Sequence, residues 1–391
     1  MAIVAEIASY HEDMVRWRQD LHRHPELAYQ EHRTAGIVAE LLAGWGIAVT
    51  SGLAGTGVVG TLQGRRGPSA RAVGLRADMD ALPLQELADR PHRSTVSGRM
   101  HACGHDGHVA TLLGAARYLA QTRDFAGTVH FVFQPAEESA AGGLRLVEAG
   151  LFERFPMEAI YGLHNWPGLP VGSVAVWPGP IMGAYDLFEV TVQGQGAHGS
   201  QPHLGVDALG TAAQIVTGLQ TLTSRRVDPL DAAVVAVTTL QAGESWNILP
   251  ATALLRGGAR ALRPEVQDLL EAGVRRIAQG IAAAAGATAE VEYRRFCPPV
   301  VNGEAEAALV REAATRVVGA ARVLTSGRPS LAAEDFAYLL AQRPGCFFWL
   351  GNGPAEGGRN LHSPYYDFDD AILPLGASCF VRIVEQALAP A

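Results

Sequence analysis

Apolar residues at Ile7, Tyr10, Met14, Trp17 and Leu21 recur at three- and four-residue steps, which predicts an amphipathic helix ending before Pro25. A second helix is predicted over 29–45. Apolar runs at 58–62, 70–75, 129–133 and 159–163 read as strands and alternate with helical patterns at 109–120 and 144–151. After Pro180 the rhythm becomes strand 185–192, helix 206–222, strands 233–239 and 252–256, helix 266–284 and strand 289–293. That β-α-β-β-α-β order is the split unit of a ferredoxin-like domain. Helices at 305–318 and 333–340, a strand at 346–350 and a helix at 375–388 complete the pattern. The expected architecture is an α/β domain with a central sheet flanked by helices (1–181 and 294–391), interrupted by an inserted α+β domain (182–293).

Composition narrows the class. With 391 residues, 48% of them hydrophobic, the chain can bury more than one core. A formal charge of −8 without a basic stripe argues against nucleic acid as a partner. No apolar run reaches bilayer-spanning length, so no membrane is expected either. Residues 1–14 carry Glu6, Glu12 and Asp13 and lack a basic start followed by an apolar stretch, so no secretory signal is read there. Cys103, Cys297, Cys346 and Cys379 lie far apart, which fits a reducing compartment, and the cytoplasm is the expected location.

The densest polar cluster, Met100-His101-Ala102-Cys103-Gly104-His105-Asp106-Gly107-His108, precedes an apolar helix. Cys103 and His105 have the chemistry of zinc-type ligands; a free buried cysteine beside an Asp106 helix cap explains them equally well. Other candidates fall straight after apolar strands: Asp78 and Asp80, Glu137 and Glu138, and His164. Ligands of open α/β sheets collect at the carboxyl ends of strands, so these arrivals point to one shared site. Adjacent carboxylates at Glu137 and Glu138 can divide labour, one on a metal and one as a base; a pair of acids at a helix start is the plainer alternative. His362, with Asp367, Asp369 and Asp370 nearby, is a single histidine that is persuasive only in company. Gly55-Thr56-Gly57-Val58-Val59-Gly60 fits a dinucleotide fingerprint, yet the chain continues as a strand where a helix is required, so a hairpin is expected. In the inserted domain His198 lies on a glycine-rich loop, and Asn247 and Arg260 have side chains suited to a carboxylate or carbonyl, although spacing alone leaves all three as surface residues. His22, His24, His32 and His203 are read as structural.

Taken together, Leu21-His22-Arg23-His24-Pro25-Glu26-Leu27, Arg76-Ala77-Asp78-Met79-Asp80-Ala81-Leu82-Pro83, His101 to Asp106, Gln134-Pro135-Ala136-Glu137-Glu138, Leu163-His164-Asn165 and Leu361-His362-Ser363-Pro364 resemble the amidohydrolase branch of the aminoacylase and carboxypeptidase-type metallopeptidases, the group of hippurate hydrolase and indole-acetyl-amino-acid hydrolases. The resemblance spans nearly the whole chain and implies hydrolysis of N-acyl amino acids by a two-metal centre, with zinc or manganese foremost and cobalt or nickel also admissible. It implies that Cys103, His105, Glu138, His164 and His362 hold the two ions, that Glu137 is the general base and that Asp80 is the acid behind the ligands. Asp78 stands where peptidase branches carry a ligand histidine, and its role is open. The inserted domain is implied to carry a homodimer interface, with tetramers a further step. It would lend His198, Asn247 and Arg260 to the substrate, His198 acting in its own subunit or across the dimer. Gly199-Ser200 and Gly257-Gly258-Ala259 depart from the family pattern near these residues. The rival readings are a dinuclear dipeptidase or carboxypeptidase and an inactive metal-binding scaffold.

Overall fold

A computed structural model describes residues 3–67 and 69–390, apart from the side chains at positions 139 and 140. They gather into two compact units, one built from the chain up to Gly179, Val301–Arg328 and the stretch from Asp335 onward, the other from Pro180–Val300 and Pro329–Glu334.

The first unit is built on an eight-stranded mixed sheet in the order Ala48–Leu53, Gly57–Gln63, Thr128–Gln134, Ala72–Asp78, Ala159–Trp166, Gly345–Gly351, Val174–Ala175, Val323–Leu324. Its centre is parallel: Ala72–Asp78 runs alongside both Thr128–Gln134 and Ala159–Trp166, and the latter alongside Gly345–Gly351. Ala72–Asp78 and Gly345–Gly351 are buried at every position, as expected of strands covered on both faces. The strand Ala48–Leu53 has no continuous apolar run and escaped the sequence reading; it is half-exposed at the sheet edge. It forms a hairpin with Gly57–Gln63, and Gly55 sits in the turn at φ 99°, so the glycine-rich motif serves a turn.

Helix His105–Thr122 begins four residues before its apolar stretch, and its polar first turn (His105, Asp106, His108) is buried with the rest. Gly104 opens it at φ 95°, and a Cβ there would lie 2.3 Å from Asn165 Oδ1 and 2.4 Å from Tyr366 Oη. Only glycine fits, which is how the Cys103–His105 turn comes to lie against the strand end carrying His164 and Asn165.

The second unit has a four-stranded antiparallel sheet in the order Ala233–Gln241, Thr252–Ala261, Ala184–Gln193, Thr288–Cys297. Helices Ala208–Arg225 and Pro264–Ala284 supply Ala212, Ile215, Leu219, Leu270, Val274 and Ala278 to one core with Phe188, Val190, Val192 and Leu255. Strand order 2-3-1-4 with two helices on one face is the ferredoxin-like arrangement. Thr252–Ala261 alternates between buried and more exposed positions, so the sheet's other face is open.

Candidate metal centre

The carboxyl ends of the parallel strands converge. Ala72–Asp78 ends at Asp78 with Asp80 just beyond; Thr128–Gln134 leads into Glu137 and Glu138; Ala159–Trp166 presents His164. Between strand and helix, Ala136 takes the left-handed conformation (φ 57°), and its N–H donates to the buried Glu31 carboxylate at 2.9 Å. That tight turn aims two adjacent acids at the site. Asp80 fixes it by accepting from the backbone N–H groups of Glu137 and Glu138, each at 3.0 Å.

The five candidate ligands meet here. Cys103 Sγ lies 3.4 Å from His164 Nε2, His105 Nε2 lies 3.8 Å from Glu138 Oε1, and His362 Nε2 lies 3.3 Å from Glu138 Oε2. Donor atoms of Cys103, His105 and His164 fall within 4.8 Å of one another, as do those of Cys103, Glu138 and His362. His105 contacts Asp80 through Nδ1, 2.8 Å from its carbonyl and 3.3 Å from its carboxylate, while His164 Nδ1 lies 2.7 Å from Asn165 O. In each ring the other nitrogen turns inward, the arrangement in which an outer contact sets the tautomer of a metal-binding histidine.

Two buried atoms, His105 Nε2 and Glu138 Oε1, have no hydrogen-bond partner among the described residues. Orphans of this kind are costly unless something else satisfies them, and a cation between them would. The donor set of one thiol, three imidazoles and a carboxylate suits a borderline-soft divalent ion. Electrostatics favour the same reading. Burial, with His108 beside it, keeps His164 well below the usual imidazole range and therefore neutral. Burial also holds Cys103 as a thiol, with Glu138 adding to the effect, so a proton must leave when a cation enters.

Asp78 lies 3.7 Å from His105 Nε2 and groups with His105 and His108, and its carboxylate also has nearer partners. One carboxylate oxygen contacts Arg76 Nη1 and the other His108 Nδ1, both at 2.6 Å. Burial disfavours its charge, but Arg76, His105 and His108 outweigh that and hold the carboxyl well below the usual range. Asp78 thus braces His108, whose Nε2 lies 2.8 Å from Asn165 Oδ1. Arg76 continues the network to Gln134 and to Asp335, whose carboxylate also accepts from Gly143 N–H. The backbone N–H of Asp335 reaches Glu137 Oε1 at 3.3 Å. The sequence reading passed over Arg76, His108, Asp335 and Tyr366. His108 carried a signal as part of the polar cluster and Arg76 as the first residue of the Arg76 to Pro83 motif.

In the inserted unit the structure brings His198 and Asn247 together through the short antiparallel pair Ala197–His198 and Ile248–Leu249. Gly199 N–H donates to Asn247 O at 2.7 Å, and both residues are exposed. Arg260 lies on the sheet, its guanidinium 3.9 Å from the centre of the Tyr185 ring and donating to Leu331 O at 3.0 Å.

A family model described as peptidase family M20/M25/M40 matches residues 74–386. N-acetylcysteine deacetylase of Bacillus subtilis is 39% identical over 96% of this chain and 97% of its own. Thermostable carboxypeptidase 2 of Saccharolobus solfataricus is 36% identical over 93% and 92%. A Bacillus subtilis crystal structure, described as a dinuclear metal binding peptidase from the M20 family, superposes with a TM-score of 0.86 at 35% identity, covering 98% of this chain and all of that one.

Proposed function

This chain belongs to the M20/M25/M40 peptidase family and is an amidohydrolase of that family; from that premise we propose that it cleaves the amide bond of N-acyl amino acids, releasing a carboxylic acid and a free amino acid, at a two-metal centre held by Cys103, His105, Glu138, His164 and His362. The observation that carries the reading is the convergence of these five side chains, two of whose buried atoms, His105 Nε2 and Glu138 Oε1, have no hydrogen bond among the described residues, with Glu137 alongside. Bound there, two divalent ions, zinc or manganese by the donor chemistry, would supply polarisation of the scissile carbonyl and a water acidic enough to attack near neutral pH. Glu137 takes that water's proton and delivers it to the departing nitrogen. Asp80 keeps the base in place through the Glu137 and Glu138 backbone and orients His105. His198 donates to the developing oxyanion, while Asn247 and Arg260 receive the substrate carboxylate.

We propose a homodimer built through the inserted unit. Its edge strand Ala233–Gln241 leaves Val234 and Leu240 exposed beside an open backbone edge, and Ile248 and Trp246 are exposed nearby. No helix among the described residues is long and apolar enough to cross a membrane.

The likeness to a carboxypeptidase favours one rival, in which a peptide bond is the substrate. Chelation followed by restoration with manganese, zinc, cobalt or nickel separates the two. Release of amino acid from acetyl, benzoyl and indole-acetyl amino acids is expected. Cleavage of dipeptides alone would hand the site to the rival, and metal uptake without turnover would leave a scaffold.

A further inference from the structure

His362 differs from the other four candidate ligands. Its side chain is 55% exposed where Cys103, His105, Glu138 and His164 are buried, and its backbone is left-handed at φ 62°, a conformation that a non-glycine residue keeps only when its surroundings impose it. One restraint is local, the His362 N–H donating to Ala102 O at 2.8 Å. The others act on the residues that follow. Leu87 N–H donates to Pro364 O at 3.0 Å; Arg90 donates from Nη1 to Tyr366 O at 2.7 Å and from Nη2 to Tyr365 O at 3.1 Å, and pairs with Asp367 at 2.9 Å.

Arg90 is itself anchored. Its Nε lies at ion-pair distance, 3.5 Å, from Glu86, a fully buried carboxylate that accepts from Ser94 N–H at 2.8 Å and lies 3.3 Å from His22 Nε2, both charged contacts being ion pairs rather than hydrogen bonds. The opposite nitrogen of His22 meets Asp106 at 2.9 Å, and Asp106 is the residue after His105. A chain of charged groups, Asp106–His22–Glu86–Arg90, therefore runs from the helix start carrying His105 to the loop carrying His362, without touching the donor atoms themselves.

We propose that Arg90, braced by Glu86, is a positioning residue that clamps the His362 loop and so sets the affinity of the Cys103–Glu138–His362 group for its ion, more strongly than that of the Cys103–His105–His164 group, which shares only Cys103 with it. The inference rests on the metal set given above. A guanidinium that pins two successive carbonyls removes freedom from the loop that otherwise has to be lost when the ion binds. Contacts made directly to a ligand side chain are typically worth roughly 10–100-fold in metal affinity, and Arg90 acts one step further out, on the loop that carries the ligand.

Cobalt titration of the chelated full-length protein tests it, with absorbance reporting thiolate coordination and calorimetry counting ions, on wild type, Arg90→Met, Glu86→Gln and His362→Ala. The expected result is two equivalents on wild type, and in Arg90→Met a second equivalent weakened about tenfold or more with the first changed much less. Glu86→Gln should show the same defect in smaller degree, and His362→Ala should reproduce it more severely. Two equivalents of unchanged affinity in Arg90→Met would overturn the clamp. So would parallel weakening of both, with a lower melting temperature of the metal-free protein, since that marks a general structural role. Failure of wild type to take two equivalents would instead defeat the metal reading on which the clamp rests.

Discussion

Three of the groups proposed to hold metal and two of those proposed to hold substrate are fixed in opposite ways. Cys103, His105 and His164 are buried, and each ring nitrogen turned away from the site has a backbone oxygen within 2.8 Å. His198 and Asn247 are exposed, and among the described residues their side chains hydrogen-bond to Ser200 and Ser245, each two residues away. The first set is organised during folding, at the cost of burying polar atoms that await a cation. The second is cheap to hold and is free to adjust when a substrate arrives. A preformed centre and adjustable recognition groups should therefore respond differently to substitution.

The largest effect should come from Glu137→Gln, which removes a base while sparing every proposed ligand. Turnover should fall by roughly 10²–10⁴-fold with full metal content; loss of metal would show that Glu137 is a ligand. Asp80→Ala comes next. By releasing both the His105 ring and the Glu137 turn it should lower metal affinity or turnover by roughly 10–100-fold and also lower the melting temperature. Arg260→Ala should raise KM about tenfold through loss of a charge-assisted hydrogen bond. Asn247→Ala should shift KM in the same direction while leaving stability within about 0.5 kcal/mol, as for surface changes. A stability loss in Asn247→Ala as large as that in Asp80→Ala would erase the contrast between the two regions.

The smallest effect concerns pH. Burial opposes a charge on His22, but Asp106 outweighs it and lifts the imidazole to about 9. Because this lies above the ordinary value of about 6.5, the stabilisation is complete below that pH and is lost as pH rises towards 9. Urea unfolding of metal-free protein should weaken between pH 6.5 and 9.5, and less steeply in His22→Gln. Equal slopes would remove His22 from the account.

Much of this was legible because the site is written at strand ends. Ala72–Asp78, Thr128–Gln134 and Ala159–Trp166 are recognisable apolar runs, and the residues after or within their ends are the ones that converge. The four-strand, two-helix order of the inserted unit was also readable from period alone. What stayed hidden is joined across long stretches of chain. Arg76 meets Asp335 across 259 positions and Arg90 meets Tyr366 across 276, and nothing local in either partner announces the other. The apolar period places the start of helix His105–Thr122 four residues late because its first turn is polar, and that turn carries the candidate ligand His105. Asp78, whose role is open in the sequence, makes two short contacts, to Arg76 and His108.

The central claim is that one set of five side chains holds the metal. A crystal structure of manganese- or zinc-loaded protein, with the ions located by anomalous scattering, tests it most directly. The account predicts two ions ligated by Cys103, His105, Glu138, His164 and His362, with Glu137 beside them and Asp78 still bound to Arg76 and His108. Ions held elsewhere, or by Asp78 in place of Cys103, would contradict it.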